Sequence, residues 1–540
     1  MFAGTWTLIK LILRRDRIKL PLWMLSVVVS LIAMVPLLKN VYGDQQSLQM
    51  VYQTFSINPA GLFITGPMDA PTFGAMMTIE TLLWWGLAVA FMNVLLIVRH
   101  TRQNEETGAQ ELLLSGRVHR NSTLLSVLIV AYICNALVAV GMGAGLTLSD
   151  ADWNAQEAWL YGISMGLFGC VWASITAVVV QLTESSRSAV GISAGLVGVA
   201  FVLRGIGDFM GTIGPNGVLQ PTWLSAVSPF GWLQAVRALT FPDWSPLVVF
   251  FCWFVGLAVF AVILLHRRDI GLGIFMSRKG RTHASLFRKT PLGFSWYLQR
   301  GVFIGWFVGV VLMACIISVL VPEMNSIYSS SESMKAIVVS LGGQGAIVPV
   351  FLSAMLSIMV LMVSAYVIQA LCRLRSEESS GHLEQILATR LSRQRWLLLH
   401  TGIILVAGAC MLASTGLVMA LCVLYGTNID VDVASYVIAG LSYWPVLLLF
   451  VALYVIFFGI LPKLANSVTW IYYAIVVFVS WLAPMLKIDQ VIMNISPMTH
   501  LAAAPAENIV LMPMVIMTGI ALTGFVIGSV AWSRRDIIHQ

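Results

Sequence analysis

The chain has 540 residues, of which 59% are hydrophobic and only 10% charged, and its mean hydropathy is +0.88. A soluble domain carries about 25% charged residues, and a chain this apolar cannot hide its surface in a core of its own, so a soluble globular protein is excluded and an integral membrane protein is required. The net charge of +7 is accounted for by where the basic residues fall and is no argument for nucleic acid.

The N-terminal segment carries Arg14, Arg15, Arg17 and Lys19 before an apolar run, Ile18 to Leu38. That run is too long for a signal-peptide core and lacks a small-residue cleavage site, so it reads as a retained first span. Just before it, Trp6 to Lys19 predicts an amphipathic helix with Lys10, Arg14 and Arg17 on one face, suited to lying in the inner interface. Apolar runs then recur at about twenty residues, the length of a spanning helix rather than of a barrel strand. The first half predicts spans at 18–38, 78–98, 122–146, 157–182, 189–209 and 246–266. A short basic linker follows, and Leu286 to Arg300 is a second amphipathic candidate, interrupted by Pro291 and Gly293, that reads almost equally as a plain topogenic flank. The second half predicts spans at 301–321, 348–371, 396–425, 435–460, 467–486 and 511–532. The expectation is an all-α polytopic membrane protein with twelve transmembrane helices in two parallel six-helix repeats. Residues 1–270 form one half, 271–289 a cytoplasmic linker and 290–540 the other half.

Lysine and arginine set the orientation. With both termini inside, the inner side collects Lys10 to Lys19, Arg99 to Arg120, Arg187, Arg267 to Arg300, Arg373 to Arg395, Lys463, Arg534 and Arg535, leaving Lys39, Arg204, Arg237, Lys335 and Lys487 as exceptions. This is positive-inside sorting, and it also favours anionic lipid heads. The location predicted is a bacterial cytoplasmic membrane, multi-pass, with both termini cytoplasmic.

A charged segment occurs twice, once after the second span of each half. Arg102, Glu105, Gly108, Glu111, Leu114, Arg117 and Arg120 match Arg375, Glu378, Gly381, Glu384, Leu387, Arg390 and Arg393 at one offset of 273. The halves also close alike, on Arg267-Arg268-Asp269-Ile270 and Arg534-Arg535-Asp536-Ile537, and Arg17 and Trp23 match Arg300 and Trp306 at an offset of 283. Both halves hold an even number of spans, so the duplication is parallel. Asn104 or Ser376 is placed to cap a short helix with Glu105-Glu106 or Glu377-Glu378 at its positive end. Leu112, Leu113 and Leu114, or Ile386 and Leu387, supply an apolar ridge. A ridge flanked by charge of fixed sign suits docking into a soluble partner. A juxtamembrane loop with positive-inside arginines explains the basic residues but not the repeated acids.

Chemistry-bearing motifs are scarce. There is no G-x-x-x-x-G-K-[ST] phosphate loop, and Gly342-Gly343-Gln344-Gly345 lacks the lysine and reads as an outer turn. No catalytic or metal-ligating constellation is found, and the seven cysteines, none in a CxxC pair, read as small buried hydrophobes.

The R-x-x-E-x-x-G-x-x-E-x-[LI]-L-x-x-x-R segment between the second and third spans resembles the coupling helix of ABC-2-type exporter permeases. The amphipathic helix before the first span resembles that family's elbow. Ser228-Pro229-Phe230-Gly231-Trp232 through Arg237 and Ser496-Pro497 through Asn508 resemble its outer re-entrant hairpins. Two fused six-span halves look most like the tetronasin-type polyketide-antibiotic exporter permeases, a type V-like exporter fold. The resemblance implies a permease subunit that exports hydrophobic or amphipathic drugs, driven by two copies of a separate cytoplasmic ABC ATPase that carry the ATP and magnesium. The chain itself would hold no cofactor. Coupling would fall to Glu105, Glu106, Gly108, Glu111, Leu114 and Arg117, and to Glu378, Gly381, Glu384, Leu387 and Arg390. Ser379 replaces Glu106 and Gln385 replaces Leu112 in the second copy, so the two sockets would be unequal. In that family the second and fifth spans line the route, which implies Trp84, Trp85, Met92, Asn93, Met362, Tyr366 and Gln369 as path residues.

Arg204 and Asp208, spaced i,i+4 near the outer end of the fifth span, read as a self-satisfied ion pair. Twelve spans in two parallel halves also describe proton-coupled secondary transporters, but such a transporter needs titratable groups at a midplane cavity, which this chain scarcely offers. A membrane-embedded lipid enzyme would need acidic or histidine clusters that are missing.

Overall fold

The computed structural model describes all residues except 1–3, 56–58, 117, 214–218, 270, 276–282, 284, 320, 322–346, 427–430, 482–488 and 537–540. Arg117, Ile270, Lys335, the 342–345 turn, Lys487 and Ile537 therefore lie outside the described residues. Among the described residues only Thr212–Ile213 and Leu219–Gln220 form strands, one antiparallel pair. Eleven helices among the described residues are long and apolar enough to cross a membrane, so the chain is an all-α multi-pass membrane protein. The predicted span at 467–486 appears as a shorter apolar helix, Ala465–Trp481. The predicted span at 435–460 is broken at Tyr443 into Val433–Ser442 and Trp444–Ile460. Pro445 sits in the first turn of the second piece, where its missing N–H costs nothing; inside a continuous helix it would remove a bond and clash.

Two compact units, Met1–Gly280 and Arg281–Gln540, make up the chain. In the first unit the spans are Lys19–Tyr42, Phe73–His100, Arg120–Thr147, Ala155–Leu182, Ser186–Phe209 and Ser245–His266. The second span starts earlier than its apolar run because Thr72 caps it, its hydroxyl accepting from Ala75 N at 3.2 Å. Asn154 and Glu157 close a capping box at the head of the fourth. That fourth span is the most enclosed, with the second, third and sixth packed on it. Lipid supplies no hydrophobic force between helices, so close packing by small residues has to hold them. Gly162 meets this need: a Cβ there would lie 2.3 Å from Ala139 O of the third span.

In the second unit, Ile347–Ser379 packs on Arg393–Gly426 and Trp444–Ile460, and Leu511–Arg534 packs on Trp444–Ile460. Here Gly528 provides the close approach, its own Cβ position falling 2.5 Å from Val455 C. The last span of each unit turns large apolar side chains outward, such as Phe251, Trp253 and Val259, and Val515, Ile520 and Val526, as lipid-facing surfaces require.

The amphipathic start is shorter than its sequence suggests. Thr5–Arg15 is helical with Leu8, Ile9 and Ile12 buried, while Lys10, Arg14 and Arg17 are exposed. It ends because Asp16 turns inward, bonding His100 Nε2 at 2.6 Å and Arg99 at 3.1 Å. In the second unit Pro291 does not interrupt a helix; it begins one, Pro291–Val319. The first turn is where proline fits, and Thr290 Oγ1 accepts from Gly293 N at 3.1 Å. Of the seven cysteines, all free, only Cys134 and Cys170 are fully buried; Cys252 and Cys410 are exposed.

Candidate functional site

The twice-occurring segment folds the same way in each unit. In the first, Phe73–His100 ends, Arg102–Glu106 makes one further turn, Gly108 takes φ +71°, and Ala109–Leu114 forms a short helix. In the second, Ile347–Ser379 runs straight through the corresponding residues, Gly381 takes φ +75°, and His382–Leu387 follows. The expected caps are therefore corrected: Asn104 and Ser376 lie inside helices, and the capping positions are Gly108 and Gly381. The acids at the positive ends of the short helices are Glu111 and Glu384, not Glu105-Glu106 or Glu377-Glu378. The left-handed glycine breaks the helix after those pairs.

Around Gly108 there is open space, so its requirement is conformational, not steric. An L-residue in this conformation costs roughly 1–2 kcal/mol. Gly381→Ala is expected to speed amide exchange across 382–387 by about five- to thirtyfold, read by hydrogen–deuterium exchange. An unchanged rate would mean the turn does not depend on glycine.

The two acids of each motif play different parts. Glu105 faces inward. Its carboxylate takes Arg102 at 2.7 Å on one oxygen and Arg268 at 2.5 Å on the other. Arg102, fully buried, also donates to Val180 O at 2.6 Å and Leu272 O at 2.9 Å, and Arg268 reaches Gln181 Oε1 at 2.7 Å. Arg120 closes the set by donating to Arg268 O. The second unit repeats it. Glu378 takes Arg375 at 2.9 Å and Arg535 at 2.6 Å, and Arg393 donates to Arg535 O at 2.5 Å. Burial pulls the Arg535 guanidinium below its ordinary range while Glu378 opposes the pull; it stays a cation at neutral pH. Each glutamate thus ties the end of the second span to the end of the sixth through charge-assisted bonds.

The second acid points out. Glu111 and Leu112 are exposed, Leu112 at 79%, as are Glu384 and Gln385, while Leu114 and Leu387 are half-buried beneath them. Glu106 is also exposed but bonded, accepting from Ser186 N at 2.7 Å and from the Ser186 hydroxyl at the head of the fifth span. Ser379 and Arg390 are exposed. The inward node was missed in the sequence, where Arg268 and Arg535 registered only as matching half-ends. Two offsets, 273 for the segment and 267 for the ends, were the available signal.

Several path residues are structural in their own unit. Asn93 is buried, and its amide exchanges hydrogen bonds with that of Asn135 at 3.0 and 2.9 Å, a pairing worth about 0.6 kcal/mol between membrane helices. Met92 and Tyr366 are core residues. Trp85 donates to Val27 O at 2.8 Å. Trp84 is 43% exposed, Met362 is half-buried, and Gln369 is exposed and accepts from Trp306 Nε1 at 2.5 Å.

At the far end of the spans, Arg204 and Asp208 pair at 3.2 Å, both buried. Arg204 also donates to the carbonyls of Leu62, Phe63 and Ile64, satisfying the orphan carbonyls at the end of the short helix Pro59–Ile64. The pair is structural. Ser228 caps Pro229–Ala235 and donates to Ala200 O of the fifth span at 2.7 Å; Phe230 then inserts against Phe168, 4.9 Å between ring centres. Ser496 likewise caps Pro497–His500 and meets Ser480 Oγ at 2.9 Å.

A family profile described as Multidrug efflux system permease Rv1217c, C-terminal domain, matches residues 7–265 and 289–533. The chain belongs to this family. It is 28% identical over 541 residues to the multidrug efflux system permease protein Rv1217c of Mycobacterium tuberculosis (strain ATCC 25618 / H37Rv), covering 99% of this chain and 96% of the relative. Arg102, Glu105, Arg375 and Glu378 lie within the matched stretches, and their partners Arg268 and Arg535 lie just beyond the ends of them.

Proposed function

We propose that this chain is the membrane-spanning permease subunit of an ATP-binding-cassette exporter of the ABC-2 type, most like the tetronasin-type permeases. It moves hydrophobic or amphipathic drugs or antibiotics out of the cell with ATP hydrolysed by a separate ATPase. Family membership supports the efflux role. The observation that carries the ATPase reading is the twin segment: an exposed ridge at Glu111–Leu112 and at Glu384–Gln385, each standing on a buried Arg–Glu–Arg node. A docking helix must be exposed to be touched and anchored to transmit a push; each copy is both. Two copies suit two ATPase subunits, and the positive-inside pattern supports a cytoplasmic position for both segments and both termini.

The node gives the push a route. Glu105 holds Arg102 and Arg268, so displacement of Ala109–Leu114 is delivered to the second and sixth spans together, and through Val180 O to the fourth. Glu378 does the same in its unit. This is a rigid-body response rather than a local bend. For cargo, the exposed Trp84 and Gln369 and the half-buried Met362 are better placed than Met92, Asn93 or Tyr366.

Affinity purification of the full chain from its native membrane, with quantitative mass spectrometry, tests the reading. Two P-loop ATPase subunits per chain are expected. A chain that purifies alone and moves drug under an imposed proton gradient overturns it in favour of a proton-coupled transporter.

A further inference from the structure

Each unit has a recess where its amphipathic start meets the end of the second span and the turn helix. In the first unit the recess is nearly filled, at about 40 Å³, room for about one water. Leu8, Leu11 and Ile12 pack there against Leu113 and Val127. In the second unit the recess is open, at about 580 Å³, within the range of ligand clefts. The sequence offsets show that the two occupy matching places: Ile12 corresponds to Ser295, Leu113 to Ile386 and Thr123 to Trp396. Two differences accompany the larger volume of the second. A serine stands where isoleucine fills the first. The first unit's start also ends at the Asp16 turn, whereas Pro291–Val319 runs uninterrupted through the corresponding Gln299.

The open recess has two kinds of wall. Arg288, Lys289 and Arg373 bring three cations to it, against one acid, Glu377. That acid is already engaged by Arg373 at 2.9 Å and His382 at 3.4 Å, and the Arg288 guanidinium is steadied over the Tyr297 ring at 4.4 Å. The positive excess faces apolar Phe294, Leu298, Ile386 and Trp396. Trp396 is buried, and its indole N–H lacks an acceptor among the described residues. The recess opens at the residues that begin a membrane span, the level at which lipid headgroups lie.

We propose that this recess binds one phosphate-bearing anionic lipid, its headgroup on Arg288, Lys289 and Arg373 and the upper part of its chains on Phe294, Leu298 and Ile386. A free phosphate satisfies the cations but leaves the apolar wall and most of the volume unused. A zwitterionic lipid brings its own cation against three others. The first unit, with the recess filled, holds no counterpart. The inference concerns lipid alone and stands whichever energy source drives transport.

The test is lipid retention by the full-length chain in detergent, followed by native mass spectrometry during titration with phosphatidylglycerol, phosphatidylcholine or inorganic phosphate. The wild type is expected to retain one phosphatidylglycerol more tightly than the rest. Arg288→Ala with Lys289→Ala should weaken that lipid by about thirtyfold, taking each basic residue at its ordinary worth near an anionic headgroup. Thr389→Trp, which fills the recess from an exposed position while keeping every charge, should abolish it. Lys10→Ala with Arg14→Ala, removing equal charge from the first unit, should leave it. The proposal is overturned if the Arg288/Lys289 variant or Thr389→Trp retains the lipid as the wild type does. It is also overturned if phosphatidylcholine binds equally, or if inorganic phosphate displaces the lipid at equal concentration, which would make this a simple anion site.

Discussion

Reversing both outward acids, Glu111→Lys together with Glu384→Lys, is expected to cut ATPase retention on the purified permease by about a hundredfold or more, with insertion and yield unchanged. The size follows from the docking proposed above: if each acid meets a basic group of the ATPase, its reversal sets like charges together, which costs several kcal/mol and weakens binding at 1.4 kcal/mol per tenfold. The specificity follows from geometry. Both acids are exposed in the first turns of the short helices and neither belongs to the buried nodes, so the cost to folding is confined to the helix ends, about 1 kcal/mol each. The single reversals need not be equal, because Leu112 beside the first acid becomes Gln385 beside the second. Co-purification at the wild-type level would remove these acids from docking.

Glu105→Ala, and separately Glu378→Ala, is expected to have the largest effect on stability, a loss of about 3–5 kcal/mol each. Truncation strands two guanidiniums in an interior that had paired them: Arg102 and Arg268 in one unit, Arg375 and Arg535 in the other. Denaturant unfolding in detergent checks this, and a midpoint equal to wild type would show that the node holds nothing. A cycle separates anchoring from mere burial of charge. Adding Arg268→Met to Glu105→Met should recover part of the loss, because an apolar pair of similar volume replaces a buried ion pair at little cost. If the node also carries the push, the double variant regains stability while ATPase activity no longer responds to drug.

Most of the fold was legible because lipid enforces it. A span needs about twenty apolar residues with every backbone group bonded internally, and that demand appears as runs in the chain. Span ends were less legible. Phe73–His100 outran its apolar run because Thr72 caps it, and Pro291, read as an interruption, proved to be a start. In the charged segment the sequence located the acids but not their directions, and it did not show that Arg268 and Arg535 are the partners of Glu105 and Glu378. Glu105 and Glu111 lie six residues apart with the same charge, yet one is locked between arginines and the other faces out. The turn at Gly108 sets that difference, and its left-handed backbone has no signature beyond the glycine itself.

The sequence by itself determined the class, the rough place of most spans, and the repeated motif, because burial in lipid and charge sorting act residue by residue along the chain. Tertiary structure alone decided that Arg268 and Arg535 return to the glutamates 163 and 157 positions earlier. It alone decided that Asn93 pairs with Asn135 rather than facing a route, and that one of two matching recesses is filled and the other open. Each of these depends on which helices touch, and contact between distant segments is settled by packing and paired polar groups rather than by any local pattern.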